Sequence, residues 1–244
     1  MNTTLSVHLL KRLLRGKRLA GMIALASVAG VLAWVAVLGE PASRAATTFQ
    51  EVISTAPAAT LSIAMLFLGT AVLRDERDGG TLPFLFISPI GRVAFALSAW
   101  VALTMAALLI AFIGWLPALF GAGLSAGDWS LAFPVLGLYA AAAVAYSAVF
   151  LPLGYLFSRS LLVGLGYVFI WEGIIASFVP GLAASSVWRL ALSIYAGVVD
   201  LPRDAMDVLG SVKPGAGGGI VSIAALVAVA LAVLSWAIRR RDAV

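Results

Sequence analysis

Residues able to do chemistry are scarce in this chain and fall in two places. One is the stretch 74–92, RDERDGGTLPFLFISPIGR, where charge, glycine and proline interrupt two long apolar runs. The other is Glu172, an acid well inside an apolar segment, in the run Trp171-Glu172-Gly173. A charged side chain at mid-bilayer is disfavoured by about 2.5–3.5 kcal/mol on insertion scales, so such an acid must face protein or water, or stay protonated. Three roles suit it. It can pair structurally with a hydroxyl or a tyrosine such as Tyr146, Tyr155 or Tyr167, or it can stand with Trp171 in a translocation path or dimer seam. The third role is a proton-coupling carboxylate in a secondary transporter. Catalytic alternatives find little to work with. The single His8 stands beside basic residues and there is no cysteine, which argues against an imidazole- or thiolate-based metal or catalytic centre. H-E-x-x-H and G-x-S-x-G are absent, as is the phosphate loop G-x-x-x-x-G-K-[ST]. Gly16-Lys17-Arg18 lacks the hydroxyl residue and the upstream glycine, and the glycines of 215–219 follow no strand.

The stretch 74–92 has a legible local structure. Gly79 and Gly80 break a preceding helix, and the Thr81 hydroxyl can cap the free amides of a new one. Pro83 sits in the first turn, where its missing N–H matters little. The new helix carries Leu82, Phe84, Leu85, Phe86 and Ile87, and Pro89 pushes Ser88 out of helical geometry and ends it. The expectation is about two turns of very apolar helix lying across a membrane surface. Arg74, Arg77 and Arg92 balance Asp75, Glu76 and Asp78, so simple attraction to lipid headgroups does not account for the loop. An interfacial turn with wedged aromatics and a helix that docks on a partner both fit this chemistry.

Glu76, Gly80, Thr81, Leu82, Leu85, Ser88, Pro89 and Arg92 together resemble a known signature, E-x-x-x-G-T-L-x-x-L-x-x-S-P-x-x-R. It belongs to the permease subunits of ATP-binding-cassette exporters of the second type. The resemblance implies a cytoplasmic coupling helix between the second and third spans, docked on a separate ATPase subunit. Glu76 and Arg92 would orient the loop, and the apolar face with Leu82, Leu85 and Phe86 would transmit motion. It further implies two permease subunits, as a homodimer or heterodimer, and a prokaryotic inner or plasma membrane. This chain would bind no cofactor of its own, with ATP and Mg held by the partner. Pro83, Phe84 and Phe86 stand where the family commonly has polar residues. Trp171-Glu172-Gly173 followed by Pro180-Gly181 is similar to the fifth span of some of these permeases.

Composition sets the frame that must position these residues. At 62% hydrophobic and 11% charged, with mean hydropathy +1.07, the chain belongs in a lipid bilayer. The expected fold is all-α: an amphipathic interfacial helix over 1–18, then a six-span permease domain over 19–241. Leu5, Leu9, Leu10, Leu13 and Leu14 alternate at helical spacing with Lys11, Arg12, Arg15, Lys17 and Arg18 in the first segment. The rival reading, the charged start of a cleaved signal peptide, suits the long apolar run 19–38 and the following Arg44 less well. Further spans are expected over about 52–73, with Pro57 in the first turn, and over 93–115, 131–157, 161–179 and 220–238. Gly114, Pro117, Gly121, Gly123 and Gly127 predict a turn-rich connection, with Trp115 and Trp129 as interface anchors. Gly164, Gly166 and the alanines of 140–145 favour close helix packing. An external region, 181–218, is expected to hold a helix or a re-entrant hairpin around Trp188 and a short helix over 202–209, and 215–219 reads as a flexible linker.

Charge then fixes the orientation. Lys11, Arg12, Arg15, Lys17 and Arg18 precede the first span, Arg74, Arg77 and Arg92 follow the second, Arg159 the fourth, and Arg239, Arg240 and Arg241 the sixth. Only Arg44, Arg189, Arg203 and Lys213 fall on the other side, so the positive-inside rule puts both termini and the 74–92 loop in the cytoplasm. That distribution also speaks against nucleic acid as the reason for a net charge of +5. The other functional classes consistent with the sequence are an ion- or proton-coupled carrier using Glu172 and a non-transporting membrane anchor.

Overall fold

No charged residue interrupts positions 19–38, and a backbone in apolar surroundings must satisfy its own N–H and C=O groups. The chain meets that demand with helix. In a computed structural model, which describes residues 3–14, 17–78, 91–213 and 215–241, every regular element among them is helical. The order is α1 (Thr3–Leu13), α2 (Lys17–Val37), α3 (Ala42–Asp78), α4 (Arg92–Phe120, continuing as a π-helical turn Gly121–Ser125) and α5 (Ala132–Leu156). Then come α6 (Ser160–Gly166), a π-helical stretch (Tyr167–Ile175), α7 (Ala176–Phe178), α8 (Val187–Ala196), α9 (Arg203–Asp207) and α10 (Ala216–Arg241). Five of these helices are long and apolar enough to cross a membrane, the architecture of a multi-pass membrane protein. The shorter apolar run Ser160–Ile175 lies between the fourth and the fifth of them.

Four helices close a ring in which α2 packs on α3, α3 on α5, α5 on α4 and α4 on α2. Small residues make the close approaches. Gly114 of α4 abuts Ala26 of α2, Gly30 abuts Ala118, and Gly121 abuts the Trp34 backbone. Across the ring, Gly69 of α3 meets Phe150 and Gly154 of α5 meets the Thr70 backbone, while Gly164 of α6 is filled by Leu66. Residue numbers rise together along α2 and α4, and along α3 and α5, so each of these pairs is parallel. The α4–α5 pair is antiparallel, tied by Thr104 Oγ1 to Ser147 Oγ at 2.9 Å and by the Trp115 indole N–H to the Ala132 carbonyl at 2.7 Å. Helix α10 packs outside α4 and α5, and its start is covered by α8.

This arrangement gathers the basic residues at one end. Ser6 of α1 donates to the Ser98 carbonyl of α4 at 3.1 Å. Leu9, Arg12, Arg18, Met22, Leu68 and Val72 line one small cavity joining α1, α2 and α3. Val93 and Arg239 share another groove, so the start of α4 and the end of α10 lie together. Helix α1 is amphipathic as expected: Leu5 and Leu9 are buried, while Lys11 and Arg12 are exposed. At the opposite end, the Trp34 indole N–H reaches Ser125 Oγ at 3.0 Å and Gln50 Nε2 reaches the Asp200 carbonyl at 3.3 Å. Asp128 caps the 3-10 turn Trp129–Leu131 by accepting from the Ser130 hydroxyl and amide, which hold its carboxyl below the usual range. That cap acts above the ordinary carboxylate range and is lost as pH falls through the depressed value.

Several boundaries differ from the expectation. Helix α1 ends at Leu13, and Lys17 and Arg18 begin α2. The second apolar helix starts at Ala42, ten residues early, so Arg44 and Glu51 ride on α3 and Pro57 lies well inside it. It also runs on to Asp78, which places Arg74, Asp75, Glu76 and Arg77 on helix. The connection expected over 114–127 is largely helix: Gly114, Pro117, Gly121 and Gly123 are all in helical turns, and only Gly127, with φ of 73°, makes a true turn. Those glycines are there for packing, Gly123 against the Trp129 ring. Trp115 is 4% exposed and is a core residue, whereas Trp129 stays exposed. Gly166 meets no neighbour within 4 Å, and Ala142, Ala143 and Ala145 are fully buried. Residues 216–219 of the expected linker are the first turn of α10, where Gly219 seats closely on Ile194 and Ser193 of α8.

Candidate functional site

Ser160–Gly166 forms an ordinary α-helix from apolar residues, but from Tyr167 to Ile175 the turn widens to π-helix. In an α-helix, residues five apart sit about 140° apart around the axis and cannot share a partner. The i→i+5 pattern of a π-helix brings them into line, and such stretches recur at functional sites. Here it sets Tyr167 beneath Glu172, and the Tyr167 hydroxyl donates to Glu172 Oε1 at 3.0 Å.

Further donors come from α5 and from the start of α8. The Tyr146 hydroxyl of α5, fully buried, donates to Oε2 at 2.6 Å, and the Val187 amide donates to Oε1 at 3.0 Å. Val187 opens α8, so Glu172 satisfies one of the free amides at that helix start, where the helix dipole favours the ionised form of a carboxyl. Ser186 caps the same turn through Arg189 N at 3.3 Å. Behind the carboxylate, Phe150 stacks on Tyr146 at 5.4 Å and meets Tyr167 edge-on at 6.0 Å. Ser62 of α3 also lies against the Tyr146 hydroxyl. The Trp188 amide, next along α8, also lies against the carboxyl, so two tyrosine hydroxyls and two backbone amides surround it, a set from which an ionised carboxylate can accept throughout. One side chain therefore ties the π-helical stretch to α5 and α8, with α3 one layer behind.

Of the tyrosines expected as partners, Tyr146 and Tyr167 are brought to Glu172, whereas Tyr155 sits buried elsewhere on α5. Trp171 turns away: its indole N–H reaches Ser185 Oγ at 3.2 Å. The other candidate residues are far from this cluster. Glu76 lies in the last turn of α3 and Arg92 is the first residue of α4. Gly80, Thr81, Leu82, Leu85, Phe86, Ser88 and Pro89 lie outside the described residues. The Val187 amide and the Trp188 indole, which donates to the Ser54 carbonyl at 2.9 Å, are contacts that sequence reasoning missed. The five-residue spacing of Tyr167 and Glu172 was the available signal, since it makes no sense on an α-helical face. Among the described residues, no three histidine or carboxylate side chains converge into a metal-ligand set.

Replacing Trp188 with Phe removes one buried bond between α8 and α3 and should lower stability by about 1 kcal/mol, read as a thermal midpoint in detergent. No family model matches the chain, and no curated protein is significantly similar to it.

Proposed function

We propose that this chain is the permease subunit of an ATP-binding-cassette exporter of the second type, forming a substrate path as a dimer in a prokaryotic cytoplasmic membrane. The observation that carries the reading is the E-x-x-x-G-T-L-x-x-L-x-x-S-P-x-x-R sequence, together with the end of α3 and the start of α4 that flank it, both at the end of the bundle where Arg12, Arg18 and Arg239 lie. Running from Ser160 to Phe178 without a break, α6, the π stretch and α7 serve as the remaining crossing. Nineteen residues at the α-helical rise would cover about 28 Å, an upper bound because the π-helical turns are shorter, against a hydrocarbon core of about 30 Å that local thinning can match. With it the crossings alternate in direction, and the positive-inside rule puts both termini in the cytoplasm.

In this reading ATP and Mg are bound by a separate ATPase, and closure of an ATPase pair pushes on the loop around Leu82, Leu85 and Phe86. The push is carried by α3, which at 37 residues is a rod of about 55 Å. It touches Tyr146 through Ser62 near its middle and holds the Trp188 indole through Ser54 in its far half, so a tilt of α3 reaches the Glu172 junction and α8. A second reading, a proton- or ion-coupled carrier, is favoured by the placement of Glu172 between two tyrosines.

A detergent pull-down of tagged protein, followed by ATPase assay, separates the two. The exporter reading expects a copurifying ATPase that is lost or uncoupled when Glu76→Ala and Leu85→Asp are combined. Well-folded protein with no ATPase would sink that reading and bring the carrier forward.

A further inference from the structure

Between the first turns of α4 and the last turns of α10 the surface opens into a groove of about 420 Å³. Its walls are apolar, with Val93 and Leu97 on one side and Leu231 and Ala232 on the other, while Trp236 and Arg239 stand toward its basic end. Trp236 is 54% exposed, and the Arg240 guanidinium lies 4.3 Å from the centre of its ring, which fixes the indole beside a second positive charge. Both helices are long and apolar enough to cross a membrane, so the groove opens onto lipid rather than water. Apolar walls with an amphipathic ring and two arginines at one end match a lipid in both parts, acyl chain and headgroup.

We propose that this groove is a site for one anionic glycerophospholipid of the leaflet at the basic end. An acyl chain lies along Val93, Leu97, Leu231 and Ala232, the phosphate pairs with Arg239, and Trp236 sits at the level of the glycerol. The site depends on α4 and α10 crossing the bilayer and not on the exporter assignment.

Native mass spectrometry of the purified protein in mixed micelles tests it, with phosphatidylglycerol and phosphatidylcholine of matched acyl chains present in equal amounts. Wild type should carry about five-fold more phosphatidylglycerol than phosphatidylcholine, the preference that one basic residue near a headgroup provides. Arg239→Gln should bring that ratio near one. Ala232→Trp, which fills the groove without changing charge, should reduce both adducts, and Leu97→Trp fills it from the other wall if the first variant fails to fold. Lys11→Gln makes the same charge change at the same end outside the groove and should leave the ratio as in wild type. A ratio near one in wild type overturns the site, as does a preference that survives Arg239→Gln. An equal loss in Lys11→Gln would mean diffuse attraction to a basic surface and would also overturn it. Displacement of the lipid by inorganic phosphate alone would do the same, since it would make the site one for a free anion.

Discussion

Glu172→Ala is expected to lower stability by about 2–5 kcal/mol, while Glu172→Gln lowers it by about 1–2 kcal/mol. The alanine removes the acceptor shared by the Tyr146 hydroxyl and the Val187 amide, each enclosed among packed residues, and leaves them only Ser62 and the Tyr167 oxygen; a fully orphaned buried donor costs about 1–3 kcal/mol. The glutamine keeps one oxygen for the amide and the Tyr167 hydroxyl, and its NH2 can donate to the Tyr146 oxygen, so a short bond to a carboxyl is exchanged for a weaker neutral one of reversed direction. For a chain of this size the alanine should shift the thermal midpoint by about 5–15 °C. Tyr146→Phe, which removes a donor and leaves the ring stacked on Phe150, should shift it far less. A Glu172→Ala variant within about 0.5 kcal/mol of wild type would show that the carboxylate ties nothing together. Under the exporter or carrier reading proposed above, a transport assay would separate structure from mechanism. If the junction moves in the cycle, Glu172→Gln assembles normally and transports poorly; unchanged transport would leave Glu172 a structural staple.

The contrast between the two candidate sites shows what a sequence can carry. Glu172 was legible as an anomaly because one acid in an apolar run always needs a partner, and two of its three suggested tyrosines are the partners found. Its third ligand, the Val187 amide, was not legible, because a backbone donor has no residue type and the contact depends on where α8 lands. Apolar length gave the helices, including the extent of Ser160–Phe178, but not their ends. Helix α3 begins at Ala42 because Arg44, Thr47, Thr48, Gln50 and Glu51 are compatible with helix once tertiary contacts hold them, as Gln50 is held by the Asp200 carbonyl. Proline and glycine were over-weighted as turn formers. In a soluble helix Pro117 and Gly114 would argue for an ending, but in tightly packed apolar helices the same residues buy close approach.

That close approach gives the second large effect. Gly114→Leu should destabilise by about 3 kcal/mol or more, whereas Gly137→Leu should be neutral or mildly stabilising. A Cβ added at Gly114 would stand 2.9 Å from the Ala26 Cβ and 3.0 Å from its carbonyl carbon and oxygen, two of these three atoms being backbone. Side-chain rotation cannot relieve such a clash, so α2 and α4 must separate. Separation would be felt along the whole seam, because Gly30 against Ala118 and Gly121 against Trp34 depend on the same interaxial distance. Gly114→Ala sits between the extremes, since the clash is opposed by a gain of up to about 1 kcal/mol in helix propensity. At Gly137 a Cβ meets nothing within 4 Å, so only the propensity gain remains. The check is the order of thermal midpoints in detergent for the three variants and wild type. Equal midpoints for Gly114→Leu and Gly137→Leu would mean that α2 and α4 are not held at this spacing, and the ring of α2, α3, α5 and α4 would lose one of its close seams.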